Sequence, residues 1–146
     1  MTKAQKFLQM VELYDAHINN KLEELTRLKE LTRQITATLK QDVVAHSSGG
    51  DRLGDTIAKI VDLENEINDA VDAYVDRRRD ALRLLERVDD ADEYQVLHKR
   101  YFEFKTWEKI ACEMNFTYRN VCYIHGKALQ TVDKLMEDEE YGQRTV

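Results

Sequence analysis

The sequence predicts an all-α protein, a long antiparallel coiled-coil helical hairpin followed by a small domain of short helices. Three observations lead there. The 146 residues include no proline and only five glycines, so little in the chain forces a turn. Apolar residues recur at intervals of three or four along two long segments. Charged residues, 34% of the chain, fill the positions between them, as on the solvent face of an amphipathic helix.

The first helix is expected over about residues 3–40. Phe7, Val11, Tyr14, Ile18, Leu22, Leu25, Leu28, Ile35 and Leu39 form its apolar stripe, at the spacing of one helix face. The second is expected over about 53–88, with Ile57, Ile60, Val61, Ile67, Val71, Tyr74, Val75, Leu82, Leu85 and Val88. At 1.5 Å per residue each would be roughly 55 Å long. Neither can bury its stripe alone, and their similar lengths point to pairing, within one chain or between two. The Ser/Gly linker His46–Asp51 is where the chain is expected to reverse, because glycine and serine tolerate turn geometry. These helices make residues 1–89 a hairpin domain. Asp90 and Glu93 have the spacing of a capping box, so a second domain is expected over 90–136. Residues 137–146 read as an acidic, frayed tail.

The charge is uneven. From Tyr94 to Leu135 there are seven Lys/Arg against four Asp/Glu, while the rest of the chain has fifteen against twenty-four. The net charge of −6 therefore hides a basic segment able to attract phosphates. Cys112 and Cys122 make neither a disulfide framework nor a zinc-finger pattern, so no metal is expected. No catalytic constellation and no cofactor are expected either, since the carboxylates fall on polar helix faces rather than in a cleft. The start of the chain does not read as a signal peptide, and no apolar run approaches the roughly 20 residues of a membrane span. The expected location is the cytoplasm. Arg77–Arg79 is flanked by Asp76 and Asp80 and reads as a solvated face.

Thr106 to Ile124 carries the functional signal. A helix-turn-helix needs a small residue where its helices cross, a turn residue that accepts left-handed geometry, and apolar residues in the wedge. Ala111, Asn115, and Ile110, Met114, Phe116, Val121 and Ile124 meet those needs in register, with Thr117 as N-cap of the second helix. That second helix would be the recognition helix in the major groove of double-stranded DNA. Tyr118, Arg119, Asn120 and Tyr123 are the expected base-edge contacts, since Arg pairs with guanine and Asn with adenine bidentately. Thr117, Lys127, Lys105 and Lys109 are the expected phosphate contacts.

The run from Leu97 to Ala111, with Arg100-Tyr101-Phe102-Glu103, Thr106, Glu108, Ile110 and Ala111, resembles the region-four helix-turn-helix of bacterial sigma factors. His125, Ala128 and Leu129 match its closing segment. The whole chain is similar to a small family of phage and prophage proteins with a helical N-terminal half. Ser48, Gly49, Asp51, Gly54, Asp55 and Ala58 through Asn68 carry that likeness. The resemblance implies a sequence-specific DNA-binding transcription regulator, with RNA polymerase as a candidate partner of the hairpin. Asn115 stands where sigma factors carry glycine, Cys122-Tyr123 replaces basic residues, and region two has no counterpart, so a complete sigma factor is not expected. A homodimer through the hairpin is a further expected partner. The competing expectation is a phage DNA-packaging adaptor of the small-terminase kind.

Overall fold

The computed structural model describes residues 1–41 and 48–144, and every described element is a helix. In chain order these are α1 (Lys3–Gln41), α2 (Ser48–Leu85), α3 (Ala91–Tyr101), α4 (Trp107–Met114) and α5 (Tyr118–Arg144). The chain divides into two compact units. One comprises Met1–Tyr14 with Tyr74–Val146, the other Asp15–Ala73.

The second unit contains the middle of α1 and most of α2. Its buried and half-buried positions include Ile18, Lys21, Leu25, Leu28, Thr32, Ile35 and Leu39 on α1. On α2 they include Thr56, Ile60, Leu63, Ile67 and Ala70. Both sets step by three and four in alternation, the 3.5-residue period of helices that share a long seam. Ion pairs Lys21–Glu66 (3.2 Å) and Lys29–Glu64 (3.8 Å) flank it, with numbers rising on α1 as they fall on α2. The expected stripe is only partly inside. Leu22, Ile57, Val61 and Val71 stay exposed, because two helices cover one seam and α2 fills it with Ile60 and Ile67 of the expected stripe together with Thr56 and Ala70 from outside it.

The first unit has a different core. Ala4, Leu8 and Val11 of α1, with Ala81, Leu84 and Leu85 of α2, are buried with Leu97 and Tyr101 of α3 and Ala128, Leu129 and Val132 of α5. The expected boundary after residue 89 is therefore not where the chain divides. The first turns of α1 and the last of α2 are walls of the C-terminal core. Asp133 Oδ1 accepts the backbone N–H of Ala4 at 2.8 Å, satisfying one donor left free at a helix N-terminus.

Element ends also differ from expectation. Of the expected linker, His46 and Ser47 lie outside the described residues, whereas Ser48–Asp51 form the first turn of α2. Asp51 there complements the positive end of the helix dipole. α2 stops at Leu85 rather than 88, since Arg87 and Val88 donate to Leu84 and Leu85 in a tightened closing turn. The segment from 137 is not frayed through most of its length but continues α5 to Arg144. Arg87 pairs with Glu139 and Lys3 with Glu140, which ties that acidic end to α1 and the α2 turn.

Leu8 is fully buried in this core. Leu8→Ala should therefore cost about 2–5 kcal/mol. The loss should appear in urea unfolding followed by fluorescence of Trp107, the only tryptophan, about a hundred residues along the chain.

Candidate nucleic-acid interface

Three caps set the geometry of α3, α4 and α5. Asp90 Oδ1 accepts the N–H of Glu93 at 2.9 Å, while the Glu93 carboxylate takes the Thr131 hydroxyl of α5 at 3.1 Å. Thr106 Oγ1 accepts from Lys109 N–H at 3.2 Å and Thr117 Oγ1 from Asn120 N–H at 3.1 Å. Each side-chain oxygen satisfies a first-turn donor that would otherwise lack a partner.

The turn from α4 to α5 spans Asn115, Phe116 and Thr117. Asn115 has φ 57° and ψ 38°, in the left-handed region, and its N–H reaches back to Ala111 and Cys112. Asparagine tolerates that conformation better than other residues with a Cβ. Phe116 N–H also donates to Ala111 O, at 3.0 Å. Below the turn Val96, Ile110, Ala111 and Val121 are buried, with Trp107, Met114, Phe116 and Ile124 packed against them. Ala111 is small where the helices come together.

A second cluster braces the three helices. The Tyr101 hydroxyl of α3 and His125 Nε2 of α5 share a hydrogen bond at 2.7 Å. The Trp107 ring of α4 meets His125 edge-on, with centroids 4.5 Å apart. Arg100 lies 4.3 Å from the Trp107 ring centroid and donates to Lys105 O at 3.0 Å. Burial, helped by the Arg100 charge, pushes the His125 pKa down to about 4, so the ring is neutral at pH 7. Burial raises Tyr101 to about 12. In the sequence His125 matches a closing segment; its place in the core depends on which side chains α3 and α4 bring to it.

Most expected contact residues share one surface. Thr117, Tyr118, Arg119, Asn120, Tyr123 and Lys127 are all exposed on the cap and first three turns of α5, and Lys109 is exposed on α4. Tyr123 is 64% exposed, with Lys127 Nζ 5.5 Å from its ring centroid. Among the described residues the Arg119 and Lys109 side chains have no ion pair or hydrogen bond. Tyr118 lies against Cys122, which holds its phenol above the usual pKa.

Lys105 is different. It is half-buried between α3 and α4 and bonds Glu113 at 2.7 and 2.8 Å and Glu103 at 2.8 Å. Both carboxylates raise its pKa. Lys99 adds a 3.2 Å pair to Glu113. Bonds from Lys105 and His98 hold Glu103 down to about 2. A phosphate would have to compete with two carboxylates for Lys105, which acts here as a clasp between α3 and α4. Along the flank of that same surface, Asp90, Asp92 and Glu93 line a shallow cavity of about 270 Å³ with Phe116, Asn120, Tyr123, Ile124 and Lys127. The unneutralised positive charge therefore lies toward Arg119 and Lys109.

Among the described residues no three His, Cys, Asp or Glu side chains gather where they could hold a metal ion, and no helix is long and apolar enough to cross a membrane. Compared with known proteins, the chain matches no family profile, no curated protein and no solved structure.

Asn115→Ala should lower stability by about 1 kcal/mol, while Asn115→Gly should hold or raise it; denaturant midpoints separate the two. His125 gives a pH signature. Its folded pKa of about 4 is below the ordinary 6.5, so between those values the unfolded chain binds a proton that the folded chain does not. Its contribution is complete above pH 6.5 and is lost as pH falls toward 4. In His125→Phe, the fall in urea midpoint over that window should be shallower than in the parent. Loss as pH falls from 4.5 toward about 2, where Glu103 gives up its bonds to Lys105 and His98, should remain.

Proposed function

We propose that this chain is a sequence-specific DNA-binding transcription regulator of the phage-related, sigma region-four-like kind. In this reading α4 and α5 are a helix-turn-helix and α5 is its recognition helix. The observation that carries it is the surface of α5. Thr117, Arg119, Asn120, Tyr123 and Lys127 lie exposed together at the start of a helix whose other face is seated on Val96, Ile110 and Val121. Side chains near the start of a recognition helix are those that reach base edges. An unpaired Arg119 has its full hydrogen-bonding fork available for guanine.

The charge agrees with this reading. Between Tyr118 and Lys134 the only acidic residue is Asp133, and its carboxylate is held by the N–H of Ala4. Lys109 and Lys127 supply phosphate contacts that set register without reading sequence. Lys105 is withdrawn from that role by its carboxylate partners. In this proposal α1 and α2 form a helical hairpin, and the exposed Ile57, Val61 and Val71 supply apolar area for a second copy or for polymerase.

Selection of duplexes from a random library, followed by anisotropy titration, tests the reading. Failure to retain any duplex at low salt would end it. On the selected site Arg119→Ala should cost about 1–3 kcal/mol and little on random DNA, while Lys127→Ala should weaken all duplexes alike and reduce the salt slope by about one. Light scattering separates the packaging adaptor, which requires a ring of many subunits, from a regulator that is a monomer or dimer.

A further inference from the structure

α2 carries a second row of side chains beside the seam it shares with α1. Ile57, Val61, Glu64, Asn68, Val71 and Val75 follow one another at spacings of four, three, four, three and four. That is the spacing by which a helix meets a partner helix, and α2 is one unbroken helix through all six positions. All six are exposed, the four aliphatic members by 38% to 52%. The exposed apolar residues of α1 make no comparable row. Leu13 and Leu22 are nine residues apart, and the row that Leu13 begins continues through His17 and Asn20.

The order within the row selects its partner. The two polar members lie at the centre, with two aliphatic side chains on either side. The pattern therefore reads alike from both ends, as a surface that meets its own copy about a two-fold axis must. Parallel pairing of two copies in register would set Glu64 against Glu64, two like charges in one seam. Antiparallel pairing about residue 66 sets Ile57 on the partner's Val75 and Val61 on the partner's Val71. It also sets Glu64 on the partner's Asn68, whose amide can donate to the carboxylate. Sliding this register by one heptad either way leaves Glu64 and Asn68 facing aliphatic side chains, with no polar partner.

Charge favours the same arrangement. Asp51 and Arg79 are four heptads apart, as are Asp55 and Arg83, so all four lie along one flank of the row. Antiparallel pairing brings the arginines of each copy to the aspartates of the other. Lys29 of α1 lies 3.8 Å from the Glu64 carboxylate, so that charge enters the contact already partly balanced.

We propose that α2 pairs with α2 of a second copy of this chain, antiparallel about a two-fold axis beside residue 66, with Val61 on the partner's Val71 and Glu64 on the partner's Asn68. The contact closes at two copies, unlike the ring of a packaging adaptor. It takes from the functional reading only the exposed apolar area of α2 and needs no DNA.

Sedimentation velocity on the full chain tests the proposal. The parent should dimerise with a dissociation constant of about 1–100 µM. Val61→Glu and Val71→Lys should each weaken the dimer about a hundredfold, with helical circular dichroism unchanged because both positions are exposed. An equimolar mixture of the two should dimerise again, since the introduced carboxylate then faces the introduced ammonium and the other layer keeps Val61 on Val71. Cysteine trapping reads the direction, in a chain with Cys112→Ser and Cys122→Ser. Val61→Cys mixed with Val71→Cys should give a mixed disulfide dimer on mild oxidation. Val61→Cys alone should not, because the two copies of position 61 would lie about 15 Å apart along the axis, beyond disulfide reach. The cysteine variants decide the matter if an introduced charge disturbs the hairpin. A parent that stays monomeric at about 200 µM, or a dimer that neither charge weakens, would overturn the proposal. A disulfide in Val61→Cys alone would show parallel pairing and overturn it too. Duplex binding by a monomeric parent would still leave the DNA-binding reading standing.

Discussion

Leu8 of α1, Leu85 of α2, Leu97 of α3 and Val132 of α5 are buried in one cluster. Each large aliphatic side chain removed from water contributes about 1.5–3 kcal/mol. The short helices cannot supply such a core themselves, since α3 has 11 residues and α4 has eight. The ends of the two long helices complete it. Residues 1–14 and 74–85 are thus structural parts of the unit that presents α5, and the exposed face of α5 depends on them for its support.

On that core a second layer sets the finer geometry. The Asp90, Thr106 and Thr117 caps fix where three helices begin, and Asn115 turns the chain between α4 and α5. The neutral His125 joins Tyr101 and Trp107, with Arg100 over the indole. Such a polar–aromatic cluster is directional where aliphatic packing is not. It holds α3, α4 and α5 against one another through hydrogen-bond and ring geometry. Lys105, Glu103 and Glu113 clasp α3 to α4 at the surface.

Charge is arranged with the same division. Acidic residues outnumber basic ones on α2, nine to six, and dominate the end of α5, whereas α1 carries seven Lys/Arg against five Asp/Glu. Around the first turns of α5 the balance reverses. The proposed function draws on that local reversal, because a field within a Debye length of about 8–10 Å matters to a docking phosphate more than the molecule's net charge.

By itself the sequence determined the all-α class, the two long helices, the cap residues Asp90 and Thr117, and the turn at Asn115, while the Thr106 cap came from the structure. Each follows from local chemistry: apolar spacing, absence of proline, side-chain oxygens beside free N–H groups, and tolerance of left-handed φ. The shared exposure of Arg119, Asn120, Tyr123 and Lys127 on α5 was legible for the same reason, since helix periodicity places them once the cap is known. Tertiary structure alone decided three matters. It chose which side of the α2 stripe is covered, taking Thr56 over Ile57 and Ala70 over Val71, a choice that hydrophobicity ranks the wrong way. It joined the ends of α1 and α2 to the C-terminal core and extended α5 through acidic residues, because contacts such as Ala4–Asp133 and Arg87–Glu139 link residues 129 and 52 positions apart. Finally, it took Lys105 into a clasp with Glu103 and Glu113, which depends on what surrounds a side chain rather than on the residue itself.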